Sequence, residues 1–244
     1  MASFLLIHGA WHGGWCFDRL VPLLEARGHV VAAPTLPGMG GDADAIAAVT
    51  LERWADFVVG QASALPAPVI LVGHSRGGIV ISTAAERDPG AFSALVYLAA
   101  FMLPDGMTLI QARDAMPRDE IFDAGLSQAA RGAALALSPE AAIGTFYGDC
   151  TPADQADAAA RIVPEPLAPL GTPVAVTDAR FGALPRHYIE CVHDRAIPIA
   201  HQRAMQAALP CVSVTTLESA HSPFLSMPEI LAGALDEIAK RTDA

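Results

Sequence analysis

Six short apolar runs, at 3–8, 29–33, 68–73, 94–99, 187–192 and 212–217, alternate with longer stretches of helical spacing, and this alternation limits the chain more than any other feature. Each run is near-continuous in apolar residues instead of alternating apolar with polar. That is the pattern of strands covered on both faces. Helical spacing marks 16–27, 51–64, 76–87, 198–209 and 228–241; in the first of these Phe17, Leu20, Val21 and Leu24 share one stripe. Strand and helix in turn predict an α/β fold with a mostly parallel sheet between helical layers, and 244 residues suit a single domain over 1–244.

The alternation fails between about 104 and 180, a stretch rich in Ala, Pro, Asp and Gly that includes "PEPLAPLGTP" at 164–173. Short helical patterns occur there, but no convincing strand. An insertion of this kind in a parallel-sheet protein is expected to form a lid over the strand ends. Its Phe101, Met102, Leu103, Met107, Met116 and Phe122 are candidates for an apolar pocket wall, with ordinary core packing as the alternative.

Charge and cysteine usage narrow the partners. A net charge of -11 with no Lys/Arg cluster would repel a phosphate backbone, so nucleic acid is not expected. The start "MASFLLIHGAWHGGW" has no basic segment, and His8 interrupts its apolar run, so neither leader nor membrane anchor is expected and the cytoplasm is the default. Cys16, Cys150, Cys191 and Cys211 are far apart with no CxxC pair, which predicts reduced thiols and no zinc site.

Gly73-His74-Ser75-Arg76-Gly77 matches G-x-S-x-G, and it lies where the run 68–73 hands over to the helical stretch 76–87. This is the nucleophile elbow of α/β-hydrolases. A serine at the tip of a strand-to-helix reversal is forced into a strained backbone, and glycines two residues either side let strand and helix approach. A nucleophilic serine needs a base, and in this fold the chain order is Ser, then Asp or Glu, then His. Of the later histidines, His187 opens a run, His193 ends it and His201 falls in a helical pattern. His221, in the loop "LESAHSPF", is the expected base. Asp194, in "CVHDRAIP" just after a run, is the expected acid ahead of Glu190 and Asp178. The expected oxyanion donors are the backbone N–H groups of Arg76 and Ala10. Gly9 would allow close approach of the reacting carbonyl. His8 and His12 are expected to hydrogen-bond within their loop, since no metal constellation surrounds them.

The segments "LLIHGAWHGGWCFDRLVPLLEARGHVVAAPTL", "VILVGHSRGGIVIS", "LAAFMLPDG", "RFGALPRHYIECVHDRAIPIAHQRAM" and "SAHSPFLSMPE" resemble the plant methylesterase and hydroxynitrile lyase branch of the α/β-hydrolases and its bacterial carboxylesterase relatives. The resemblance covers nearly the whole chain and is weakest over 104–160. It implies an α/β-hydrolase fold, Ser75, Asp194 and His221 as a triad, no cofactor, and a small-molecule ester as partner; it leaves a homodimer open. Gly9, Trp11, Phe101, Met102 and Ser222 are the expected substrate-pocket positions. Lyases of the branch carry threonine in place of Gly9 and lysine in place of Ser222, so cyanohydrin cleavage is disfavoured. Ester hydrolysis by an acyl-enzyme is the expectation. An amidase or carbamate hydrolase is the first rival, and a ligand receptor with a vestigial site is the rival from another class. Where the Arg76 side chain points is left open.

Overall fold

The computed structural model describes residues 1–242. Its main sheet runs in the order β2-β1-β3-β4-β8-β9, every pairing parallel, from β1 (Ser3–Ile7), β2 (Val30–Ala32), β3 (Val69–His74), β4 (Ala94–Leu98), β8 (Arg186–Cys191) and β9 (Ser213–Leu217). All six predicted strands are present. Successive side chains of a strand point to opposite faces, and the central strands are apolar on both. Leu5, Ile7, Leu71, Leu95, Tyr97 and Tyr188 face one core layer; Phe4, Leu6, Ile70, Val72, Val96, Leu98 and Ile189 face the other.

Helices close both layers. In Leu51–Ser63, buried Leu51, Trp54, Ala55, Val58 and Ala62 form the stripe laid on the first face, and Thr50 Oγ1 accepts the Arg53 N–H (3.2 Å) to satisfy the helix start. Across the sheet, Leu231, Leu235 and Ile238 of Pro228–Thr242 meet Phe17, Leu20 and Leu24. The helix expected over 16–27 is split into a 3-10 turn, Gly14–Phe17, and a short helix, Val21–Glu25. Among the described residues no helix is long and apolar enough to cross a membrane.

Two expectations need correction. The runs 29–33 and 212–217 are not covered on both faces: β2 and β9 are the edge strands, with Val30 37%, Val212 70% and Val214 47% exposed. Apolar content alone does not distinguish an edge from a centre. The strand-free reading of 104–180 also fails, because β5 (Leu126–Ala129), β6 (Ala134–Leu137) and β7 (Glu165–Pro166) form a three-stranded antiparallel sheet. Its strands are short and alanine-rich, and the connection between the first two turns through Ala130 (φ 49°), Arg131 (φ 57°) and Gly132 (φ 89°). Two non-glycine residues in the left-handed region give no turn signal in a sequence.

Candidate active site

At the end of β3 the chain reverses through Ser75, whose φ of 54° lies in the left-handed region, and enters the helix Gly77–Arg87. The flanking glycines are required by contact. A Cβ on Gly73 would stand 2.7 Å from Gly77 O, and one on Gly77 would stand 2.6 Å from Ile7 O. Neither obstacle is a side chain that can swing aside. Gly77→Ala should therefore lower stability by about 1–3 kcal/mol, as overpacking does, and show a lower urea midpoint.

Ser75, Asp194 and His221 come from loops after β3, β8 and β9 and converge at this end of the sheet. His221 Nδ1 donates to Asp194 Oδ2 at 2.7 Å, and both side chains are buried. With the proton on Nδ1, the neutral ring carries its lone pair on Nε2. Asp194 Oδ1 accepts the backbone N–H groups of Ala196 (2.7 Å) and Ile197 (2.9 Å), so the carboxylate is held from the opposite side. Ser75 joins this group through its neighbour: the His74 ring lies 4.5 Å from that of His221, and His74 Nε2 donates to His221 O at 2.9 Å. None of the hydrogen bonds among the described residues joins Ser75 Oγ to the His221 ring. Catalytic hydrogen bonds of this kind often tighten only in the complex with substrate.

The other candidates are committed elsewhere. His187 Nδ1 lies 2.7 Å from Ser213 Oγ, His193 pairs with Glu218 on the surface, and His201 Nε2 donates to Ala115 O (3.3 Å). Glu190 is held by Arg203, Gln206 and Thr216.

Ala10 and Arg76 line the same cavity as Ser75, and among the described residues neither backbone N–H has a protein acceptor. The loop bearing Ala10 is anchored by its histidines, as expected. Leu36 N–H donates to His8 Nε2 (3.1 Å), so Nδ1 carries the proton and donates to Gly9 O (2.8 Å). Likewise Tyr147 Oη donates to His12 Nε2 (2.7 Å) and His12 Nδ1 to Ala10 O (2.6 Å).

Burial drives the pKa values of His8 and His74 well below the ordinary histidine range, with the nearby Arg76 charge adding to the effect at His8 and His221 adding to it at His74. Burial lowers His12 to about 4, although its bond to Ala10 O opposes this. These three rings are neutral in the fold, whereas an unfolded histidine titrates near 6.5. Stability is therefore complete above that value and is lost as pH falls below it, where only the unfolded chain takes up protons. The slope is about 1.4 kcal/mol per pH unit for each histidine. A series of urea midpoints should fall steeply from pH 6.5 toward pH 4, the value His12 reaches.

The cavity, about 300 Å³, is lined by Ala10, Trp11, Ser75, Phe101, Leu109, Met116, Phe122, Leu135, Phe146, Leu167, Leu170 and Ile197, with Arg113, Asp114, Asp119 and Arg195 among its polar residues. Trp11 packs edge-on to Phe122 and stacked on Phe146. Of the six proposed wall residues three line the cavity, Phe101, Met116 and Phe122, whereas Met102 and Leu103 are buried in the sheet core and Met107 is exposed. The cause lies just after β4, where Tyr188 Oη donates to Ala100 O (2.7 Å) and Phe101 N–H donates to Ser75 O (3.0 Å), pulling that segment down onto the sheet. Gly9 and Ser222 are also not wall residues. A Cβ on Gly9 would be 2.9 Å from Ser75 Cβ, so it lies beneath the serine, and the Ser222 hydroxyl is buried without a partner.

Gln202 was not apparent from the sequence. Fully buried, it donates to Asp194 Oδ2 (3.2 Å), Ile197 O (2.7 Å) and Cys191 O (3.1 Å), bracing the acid. The one available signal was an amide on the inward face of the stretch 198–209.

Comparison with known proteins gives the family and the fold. A model of the alpha/beta hydrolase family matches residues 4–234. A pyrethroid hydrolase of Sphingobium wenxiniae is 35% identical over 252 residues, covering 98% of this chain and 88% of the relative. Salicylic acid-binding protein 2 of Nicotiana tabacum is 34% identical over 253 residues, covering 98% and 97%. The crystal structure of a pyrethroid hydrolase from Sphingobium faniae has a TM-score of 0.86 at 32% identity, covering 98% of this chain and 97% of that one. With this match over nearly its full length, and an elbow serine beside a buried His–Asp pair, the chain belongs to the alpha/beta hydrolase family.

Proposed function

We propose that this protein hydrolyses carboxylic esters of small hydrophobic acyl or aryl groups through an acyl-enzyme. The buried 2.7 Å bond from His221 to Asp194, beside a serine held at φ 54°, carries the reading. Ser75 Oγ attacks the ester carbonyl as His221 Nε2 takes its proton. The Ala10 and Arg76 N–H groups receive the oxyanion; His221 then returns the proton to the leaving alcohol. Water repeats the cycle and frees the acid. Asp194 holds the tautomer and stabilises the imidazolium without taking the proton.

Substrate class is supported by the apolar and aromatic lining, and by relatives named as a pyrethroid hydrolase and as methylesterases. The segment 104–180 serves as the lid in this reading, which the many lining residues drawn from it support. Four free cysteines support the cytoplasm as its site of action. A p-nitrophenyl butyrate and its matched p-nitroanilide separate this proposal from its rival. The ester should turn over far faster; an anilide or carbamate preferred over the ester would replace it with the amidase or carbamate-hydrolase reading.

A further inference from the structure

The residue after the nucleophile carries a second feature besides its backbone N–H. The Arg76 side chain turns away from solvent, lies 4.3 Å over the Trp54 ring and is 1% exposed. Its Nη2 donates to Gly9 O at 3.0 Å. Its Nε lies 2.9 Å from Oε1 of Glu165 in β7, although the N–H is not aimed along that line. Glu165 is fully buried, and its Oε2 accepts the Trp11 N–H at 3.1 Å.

Gly9 C=O and Ala10 N–H belong to one peptide unit, and in a trans peptide they point in opposite directions. Gly9 O takes two donors, Arg76 Nη2 and His8 Nδ1. Pinning the carbonyl end therefore sets the direction of the N–H end of Ala10, a residue that lines the cavity with Ser75. A charged donor on the carbonyl also polarises the unit and strengthens its N–H as a donor. Trp11, the next residue, has φ 60°, a strained value for a large side chain. The inserted segment holds it there through Glu165, through Trp11 Nε1 donating to Leu135 O (2.9 Å), and through Val163 N–H donating to Trp11 O (2.9 Å).

A buried ion pair adds little net stability over apolar residues of equal volume. Its geometry here serves another end. We propose that Arg76 is a positioning residue for the reaction: its main chain supplies one oxyanion donor, and its side chain, clamped by Glu165, orients and polarises the Gly9–Ala10 peptide that supplies the other. This rests on the ester-hydrolase reading above.

The test compares Arg76→Met, Arg76→Lys and the double variant Arg76→Met/Glu165→Leu. Readouts are kcat and KM for p-nitrophenyl butyrate and the affinity of an aryl trifluoromethyl ketone, which adds to the serine as a tetrahedral oxyanion. Losing an oxyanion donor outright costs about 10²–10³ in kcat, so misorienting one should cost about 30–100-fold. We expect that loss in kcat with KM within threefold, and an equal weakening of the ketone. Arg76→Lys should recover only part of it, because an ammonium lacks the fork that spans Gly9 O and the carboxylate. Arg76→Met leaves a buried unpaired carboxylate and will be less stable. The double variant removes both charges, should fold with a melting temperature near that of the parent, and should remain slow. If it folds and turns over within threefold of the parent, Arg76 is merely structural and the proposal fails. Should Ser75→Ala stay active, the hydrolase reading fails first, by a signature that no Arg76 variant produces.

Discussion

Ser75→Ala is expected to reduce kcat on p-nitrophenyl esters by about 10⁵–10⁶, since removing a triad nucleophile costs nearly as much as removing the whole unit. Thr145 also lines the cavity, but it lies within the helix Pro139–Phe146 and not at the tip of the strand-to-helix turn. Ser222, in the His221 loop, is buried at a helix start and is not among the residues lining the cavity. The residual rate over water should come from the Ala10 and Arg76 amides and from binding alone, worth about 10³–10⁴. The fold should be intact, because Ser75 Oγ bonds to nothing that supports the elbow; Ser75 N and O do so, bonding to Leu98 O (3.2 Å) and Phe101 N (3.0 Å). KM should change little. A circular-dichroism melt matching the parent, with no labelling by a fluorophosphonate, completes the measurement. Retention of more than a tenth of the parent kcat would refute the nucleophile.

Asp194→Asn should be the next most severe, lowering kcat by about 10⁴ at neutral pH. The direction of the effect follows from the partners of the two oxygens. Oδ1 accepts two backbone N–H groups, from Ala196 and Ile197, so an asparagine must keep its carbonyl oxygen there. Its NH₂ then occupies the Oδ2 position, facing His221 Nδ1 and the Gln202 amide donor. A donor opposite Nδ1 selects the tautomer with its proton on Nε2, and the ring can no longer take the serine proton. Gln202 Nε2 meets the new NH₂ as well, so a modest loss of stability is expected alongside. Kinetics at pH 7.5 and a chemical melt separate the two effects. A kcat within tenfold of the parent would show that Asp194 does not set the tautomer.

The two buried carboxylates near the site, Asp194 and Glu165, differ in how visible they were. Asp194 follows β8 by three residues, so the strand pattern located it and the order Ser, acid, base selected it. Glu165 lies 89 residues from Arg76 in a Pro-rich stretch whose short strands had no legible period. No local rule connects such a pair. Met102 shows the same limit at shorter range: it is one residue from Phe101, yet one turns to the cavity and the other to the sheet core, because Tyr188 and Ser75 anchor the backbone between β4 and the insertion.

The sequence alone determined where the strands of the main sheet lie, where the chain must reverse sharply enough to strain a serine, and the order in which acid and base follow it. These are local matters, governed by side-chain period and by where a Cβ cannot be accommodated. Only the tertiary structure decided which oxygen of Asp194 meets the imidazole, that Gln202 braces it, that Gly9 and Ser222 lie outside the cavity wall, and that the Arg76 guanidinium reaches back to the Gly9 carbonyl. Each of those depends on segments far apart in the chain arriving at one point with a set orientation, and neither periodicity nor composition encodes an orientation.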